Sequence, residues 1–181
     1  MDEACSQLTP LIRRTWAPPG CPPVLRHAAR YRDKVSLMGA LTLSPRRHRL
    51  GFYCSTLQHD SYDDWAAAWF LRQLLRHLRG RIFVIWDRGK IHQGPAVRVV
   101  LRQHPRLKVE ELPAYAPEIN PVEQVWSYLK WGRLCNLAAQ DTLSLEKRLR
   151  REVDKIERDQ DLLRQLWKGS TLPCPFRALA S

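Results

Sequence analysis

At 181 residues the chain is long enough for one domain with a substantial core, and 44% hydrophobic with 27% charged content marks it as globular rather than disordered. No apolar run approaches the roughly 20 residues of a membrane span, and the acidic opening MDEACSQLTP is no signal peptide, so a cytoplasmic protein is expected. Thirty Lys and Arg against eighteen Asp and Glu leave a net charge of +12, the footprint of a polyanion partner, although an arginine-rich host proteome would produce the same bias.

In chain order, the proline-rich segment PLIRRTWAPPGCPP, Pro10 to Pro23, reads as irregular chain or a hairpin, because so many prolines cannot sit inside a ladder. Val35 to Leu43 (VSLMGALTL) reads as a strand. The basic turn SPRRHR returns it into a second strand, Leu50 to Ser55 (LGFYCS). A helix follows in HDSYDDWAAAWFLRQLLRHLRG, with Asp60 or Ser61 as cap, acids in the first turn, arginines in the last and Gly80 as the stop. Trp65, Trp69, Leu71, Leu74, Leu75 and Leu78 recur at helical spacing, and the two tryptophans are expected in the core.

Ile82 to Trp86 is a continuous run of strand formers, as expected for a strand buried on both faces, and it ends abruptly on Asp87. PAVRVVLRQHP predicts a short helix, RLKVEEL a strand, and the segment from Asn120 a helix to about Lys130. From Asp141 to Gly169 one further helical stretch carries a stripe of Leu145, Leu149, Val153, Ile156, Leu163 and Trp167, which packs on the domain or on a partner helix. The order is α/β, and its alternating second half favours parallel strands. Five scattered cysteines without a CxxC pair argue against a disulfide framework or a structural zinc site.

Two acids stand out. Asp87 closes a buried strand, where open α/β sheets place ligands, though strands also commonly end on aspartate in a turn. Glu123 lies in LPAYAPEINPVEQVWSYLK, with Asn120 placed to cap the helix and Pro121 at its first position. Glu123 then either completes a reciprocal cap or serves as a ligand. The chain between the two acids is long enough for helix, strand and turn, so both carboxylates can meet at one sheet edge. Converging carboxylates repel, and they bind protons or recruit a divalent cation.

These blocks carry a resemblance. LPAYAPEINPVEQVWSYLK resembles the block around the last catalytic acid of DDE transposases in the mariner-like insertion-sequence superfamily. IFVIWDRGKIHQGPAV resembles the block around their second acid, including a histidine five residues on, His92. MDEACSQLTPLIRRTWAPPGCPPVL is similar to the segment following their first acid, which implies that Asp2 is that acid. The resemblance covers Asp2 to about Lys130. It implies a ribonuclease-H-like mixed sheet flanked by helices, with a core over 1–135 and a helical extension over 136–181 packed on it. It further implies a catalytic, metal-binding set of Asp2, Asp87 and Glu123, and Mg2+ or Mn2+, two ions, as cofactor. The implied reaction is DNA cleavage at transposon ends followed by strand transfer.

By the same resemblance Arg88, Lys90, His92 and Lys130 are candidate DNA contacts, while Asn120 and Pro121 set the helix start that aims Glu123. DNA is the implied partner, with a homodimer in the active complex. The chain departs from the pattern at its start, since only Met1 precedes Asp2. The strand leading into the first acid and the helix–turn–helix modules of the family are therefore expected to be missing, through frameshifted coding, a misplaced start or decay. In the first case an upstream-encoded helix–turn–helix half is a further partner. The alternatives are a non-catalytic DNA-binding remnant and a ribonuclease-H-like nuclease of another kind.

Overall fold

The structure, a computed structural model, describes residues 1–26, 33–44, 46, 48–113 and 116–173. Its first element corrects the sequence reading. The strand of the first acid, expected to be missing, is present: Asp2 opens β1 (Asp2–Gln7), antiparallel to β2 (Lys34–Ser44), which pairs in turn with β3 (Arg49–Gln58). The stretch DEACSQ is poor in strand formers, so β1 owes its conformation to the ladder with β2 rather than to propensity. Between β1 and β2 the described part of the proline-rich segment is irregular, as expected, while part of the β2–β3 turn lies outside the described residues.

Helix α1 (Asp64–His77) is capped by Asp63, whose side chain accepts from the Ala66 amide, in place of the expected Asp60 or Ser61. Its buried face is Ala67, Ala68, Phe70, Leu71, Leu74 and Leu75. Trp65 and Trp69, expected in the core, are instead 70% and 52% exposed. Ala67 and Ala68 are buried in the core, and that choice of face turns the indoles outward.

Strand β4 (Ile82–Trp86) runs parallel to β5 (Leu107–Glu111), with α2 (Pro95–Gln103) as the crossover that parallel pairing requires. Arg106 donates to the Leu75, Leu78 and Gly80 carbonyls, tying the start of β5 to the end of α1. Contrary to expectation β4 is buried on one face only: Val84 and Trp86 are covered, Phe83 and Ile85 exposed. The Met1 amino group donates to the Ile85 carbonyl at 2.8 Å, which sets β4 beside the start of β1. The ladders form two sheets, antiparallel β1-β2-β3 and parallel β4-β5, and the Met1 bond links them at β1 and β4, so that antiparallel and parallel strands are combined and flanked by helices.

Alternation along the strands divides the core between the two faces. Val35 and Leu37 of β2, with Leu50 and Phe52 of β3, face α3 (Val122–Ser127), α4 (Thr142–Arg158) and α5 (Gln160–Lys168). Met38 and Ala40 face the opposite way, onto α1, α2, β4 and β5. Instead of one long C-terminal helix there are two, because the Asp159 side chain accepts from the Asp161 and Leu162 amides and starts α5 afresh. Leu145, Leu149, Val153, Ile156 and Leu163 of the expected stripe all join the first core. No helix among the described residues is long and apolar enough to cross a membrane.

Helix α3 continues into a π-helical turn, Tyr128–Arg133. From it Arg133 reaches the buried Glu152 of α4 at 2.7 Å, and Lys155 donates to the same carboxylate at 2.9 Å. This polar tie fixes the end of the α3 segment against α4.

Candidate active site

The period of two in β1 decides which of its acids faces where. Asp2 points to the α3 side and is buried at 8% exposure. Its Oδ2 accepts from the Trp126 indole nitrogen at 3.1 Å. Trp126 lies over Gly39, the cross-strand partner of Asp2: a Cβ at Gly39 would stand 2.6 Å from the indole. Glycine at this point of β2 is therefore what lets the indole reach the carboxylate. Burial first, then the carboxylates of Glu123 and Glu3, push Asp2 up to about 6, with the Glu3 amide and the Trp126 indole working the other way. Glu123, exposed in the first turn of α3, is thus close enough for its charge to act on Asp2.

The start of α3 differs from a reciprocal cap. Asn120 is buried and its Oδ1 accepts from the Val122 amide at 3.3 Å, but its own amide donates to Pro117, not to Glu123. Pro121 stands immediately before the helix rather than inside it. The Glu123 carboxylate is left uncommitted by capping. Neither Asp2 nor Glu123 forms an ion pair with a lysine or arginine among the described residues.

Asp87 follows β4 directly. Its Oδ1 accepts from the Gly89 amide at 2.9 Å and lies 3.0 Å from His92 Nδ1, while its backbone carbonyl is 3.1 Å from the same nitrogen. The side chain remains 57% exposed. His92, expected as a DNA contact, is corrected by its burial: it is 3% exposed, its ring is stacked on Trp86 with centroids 4.3 Å apart, and its Nε2 is 2.9 Å from Glu3 Oε1. Burial works against the imidazolium, but the Glu3 and Asp87 contacts outweigh it and raise the His92 pKa. Among the remaining candidates Arg88 pairs with Glu111 at 3.3 Å, Lys90 is exposed and Lys130 half-buried in the π-helical turn.

The Met1 amine joins the two halves of the site. Burial lowers its pKa, and the carboxylates of Asp2, Glu3 and Asp87 all act on it in the opposite direction. Among the described residues, the set whose ligand atoms lie within 4.8 Å of one another is Glu3, Asp87 and His92; Asp2, Asp87 and Glu123 are more widely spaced. Glu3, Trp126 and Gly39 escaped the sequence reading. Only the alternation in β1 signals Glu3, and nothing local signals the other two.

The model of the DDE superfamily endonuclease family matches residues 1–144, and the chain belongs to that family. Among solved structures, the chain is similar to the Mos1 transposase paired-end complex with left transposon end, at TM-score 0.65 and 20% identity over 93% of this chain and 49% of that one. It is similar also to the Mos1 mariner paired end complex with Mn, at 0.64 and 18%, over 93% and 49%. The catalytic domain of Mos1 mariner transposase matches at 0.54 and 17%, over 75% of this chain and 67% of that domain. The fold is thereby the ribonuclease-H-like one, and the chain spans about half the length of the paired-end proteins it matches. No curated protein sequence matches it.

Proposed function

We propose that the chain is the catalytic portion of a DNA transposase that cuts phosphodiesters at transposon ends and joins them to a target. The observation that carries this reading is the pairing of a buried Asp2, held by Trp126, with an uncommitted Glu123 whose charge already presses on it. Two acids that repel without a lysine or arginine partner call for a cation. With Asp87 at the end of β4 they supply the all-oxygen donor set that suits Mg2+ or Mn2+. Such ions, when bound, activate water and stabilise the leaving oxygen.

The protein's own contribution is positional. Trp126 orients one Asp2 oxygen, α3 presents Glu123, and the Gly89 turn presents Asp87. The net charge of +12 favours DNA, with Arg88, Lys90 and Lys130 as backbone contacts and two copies joining paired ends. An upstream helix–turn–helix half would supply end recognition, and DNA association in the cytoplasm follows from the same reading.

The test is nicking of transposon-end DNA by the purified chain, supplied with any N-terminal partner segment, in Mg2+ or Mn2+. Asp87→Asn and Glu123→Gln are expected to abolish nicking while DNA retention persists. Cutting by both variants would refute the assignment; retention by a wild type that never cuts would favour the non-catalytic reading.

A further inference from the structure

Asp87, like Glu123, has no burial to hold it, and unlike Glu123 it sits on a turn rather than a helix. Its environment nevertheless restrains a single oxygen. Oδ1 takes the Gly89 amide and faces His92 Nδ1, whereas Oδ2 has no hydrogen-bond partner among the described residues. The His92 ring that does the restraining is itself immobilised three ways: stacked on Trp86 with an interplanar angle of 3°, closed in by the core, and tied at its far nitrogen to Glu3 of the neighbouring strand. Gly89 is part of the fit, since a Cβ there would meet Asp87 Oδ1 at 3.0 Å and His92 Nδ1 at 3.4 Å.

We infer that Glu3 and His92 are positioning residues, a clamp from β1 that fixes the rotamer of Asp87 and leaves Oδ2 as the ligand oxygen. The three groups could be mistaken for a cation site of their own. However, Nε2 is already hydrogen-bonded to Glu3, and Nδ1 to the Asp87 backbone carbonyl with Oδ1 of the same residue 3.0 Å away, so an ion among them would displace a hydrogen bond. A ligand oxygen must be held to within about 0.5 Å, which an exposed carboxylate on a turn does not achieve unaided. Partners of ligands are worth about 10–100-fold in metal affinity when removed. The clamp also explains why the strand beginning at Asp2 carries a second acid facing the other way.

This inference rests on the transposase reading, and the experiment separates the two. Mn2+ binding to the full chain is measured by calorimetry, alongside the thermal midpoint of the metal-free protein. Asp87→Asn is the control: if it leaves Mn2+ affinity unchanged, the metal assignment itself fails. With that control weakened, Glu3→Leu and His92→Ala are expected to lose about 10–100-fold in affinity. Glu3→Gln, which keeps an oxygen for Nε2, is expected to stay within a few-fold of wild type. A purely structural role would lower the thermal midpoint and leave the affinity of the folded protein alone, and that result overturns the clamp.

Imidazole nitrogen NMR of the metal-free chain decides the matter even if a variant is unstable or the wild type takes up no Mn2+. Asp87→Asn must move the Nδ1 resonance of His92, and Glu3→Gln the Nε2 resonance. Indifference to both substitutions overturns the proposal.

Discussion

Trp126 and Asp2 are 124 residues apart in the chain and 3.1 Å apart in the fold, joined by an indole N–H donating to a buried carboxylate. The contact exists because Gly39 leaves room for the ring, and Phe52 meets the same ring edge-on at 6.0 Å. Gly39→Ala is expected to destabilise the protein by about 1–3 kcal/mol through overpacking. It should also shift the Trp126 indole resonance, readable by urea titration and NMR together. Trp126→Phe removes a donor that holds the Asp2 pKa down, so the Asp2 titration should move further upward, measured from its carboxyl resonance.

A pH dependence follows from the same residue. Asp2 rises from 3.8 to about 6 on folding, so the folded chain holds this proton more tightly than the unfolded one. Its contribution to stability is complete below 3.8 and is lost as pH rises through about 6. Two pH units correspond to about 3 kcal/mol as an upper figure. Chemical denaturation of the metal-free chain between pH 4 and 8 should show this decline. Asp2→Asn should flatten it, and Mn2+ should restore stability to the wild type but not to the variant.

Glu152 offers a prediction away from the site. Burial disfavours its charge, yet hydrogen bonds from Arg133 and Lys155 hold its pKa below the ordinary value. The benefit is therefore present above 4.5 and disappears as pH falls through the lowered value. Glu152→Ala should cost about 1.5–3 kcal/mol by denaturant titration, since its basic partners keep some contact with water. Glu152→Gln, which keeps an acceptor, should cost less.

The face of α1 can be checked directly. Trp65→Ser should change stability by less than about 0.5 kcal/mol, because the side chain is largely solvated. Leu71→Ala on the covered face should cost about 2–5 kcal/mol. Equal costs at the two positions would contradict the orientation.

These outcomes also mark what a single sequence can reveal. The β2–β3 hairpin, α1, α2 and the parallel pair β4–β5 were legible because periodicity and turn chemistry act over short stretches. Asp87 was legible for the same reason, as charge at the end of an apolar run. The burial of Trp65 and Trp69 was misjudged because size suggested core, whereas the covered face of the helix is the one that carries Ala67, Ala68, Phe70 and Leu71. Strand β1 was missed because its own residues barely favour extension and its partner, β2, lies beyond a long irregular segment. Glu3, Gly39 and Trp126 matter only through contacts across the chain, and no local pattern encodes those.

The allocation of side chains along β1 leaves no tolerance for slippage. Displacing this six-residue strand by a single position against β2 would turn both acids to the opposite faces, bringing either Glu3 beneath the indole or Asp2 to the imidazole according to the direction of the slip. Both the carboxylate offered from one side and the brace on the other would be forfeited together. Whatever anchors the beginning of that strand therefore governs the entire constellation, and the ladder that opens with Asp2 opposite Gly39, together with the bond from Met1 to Ile85, is what holds it.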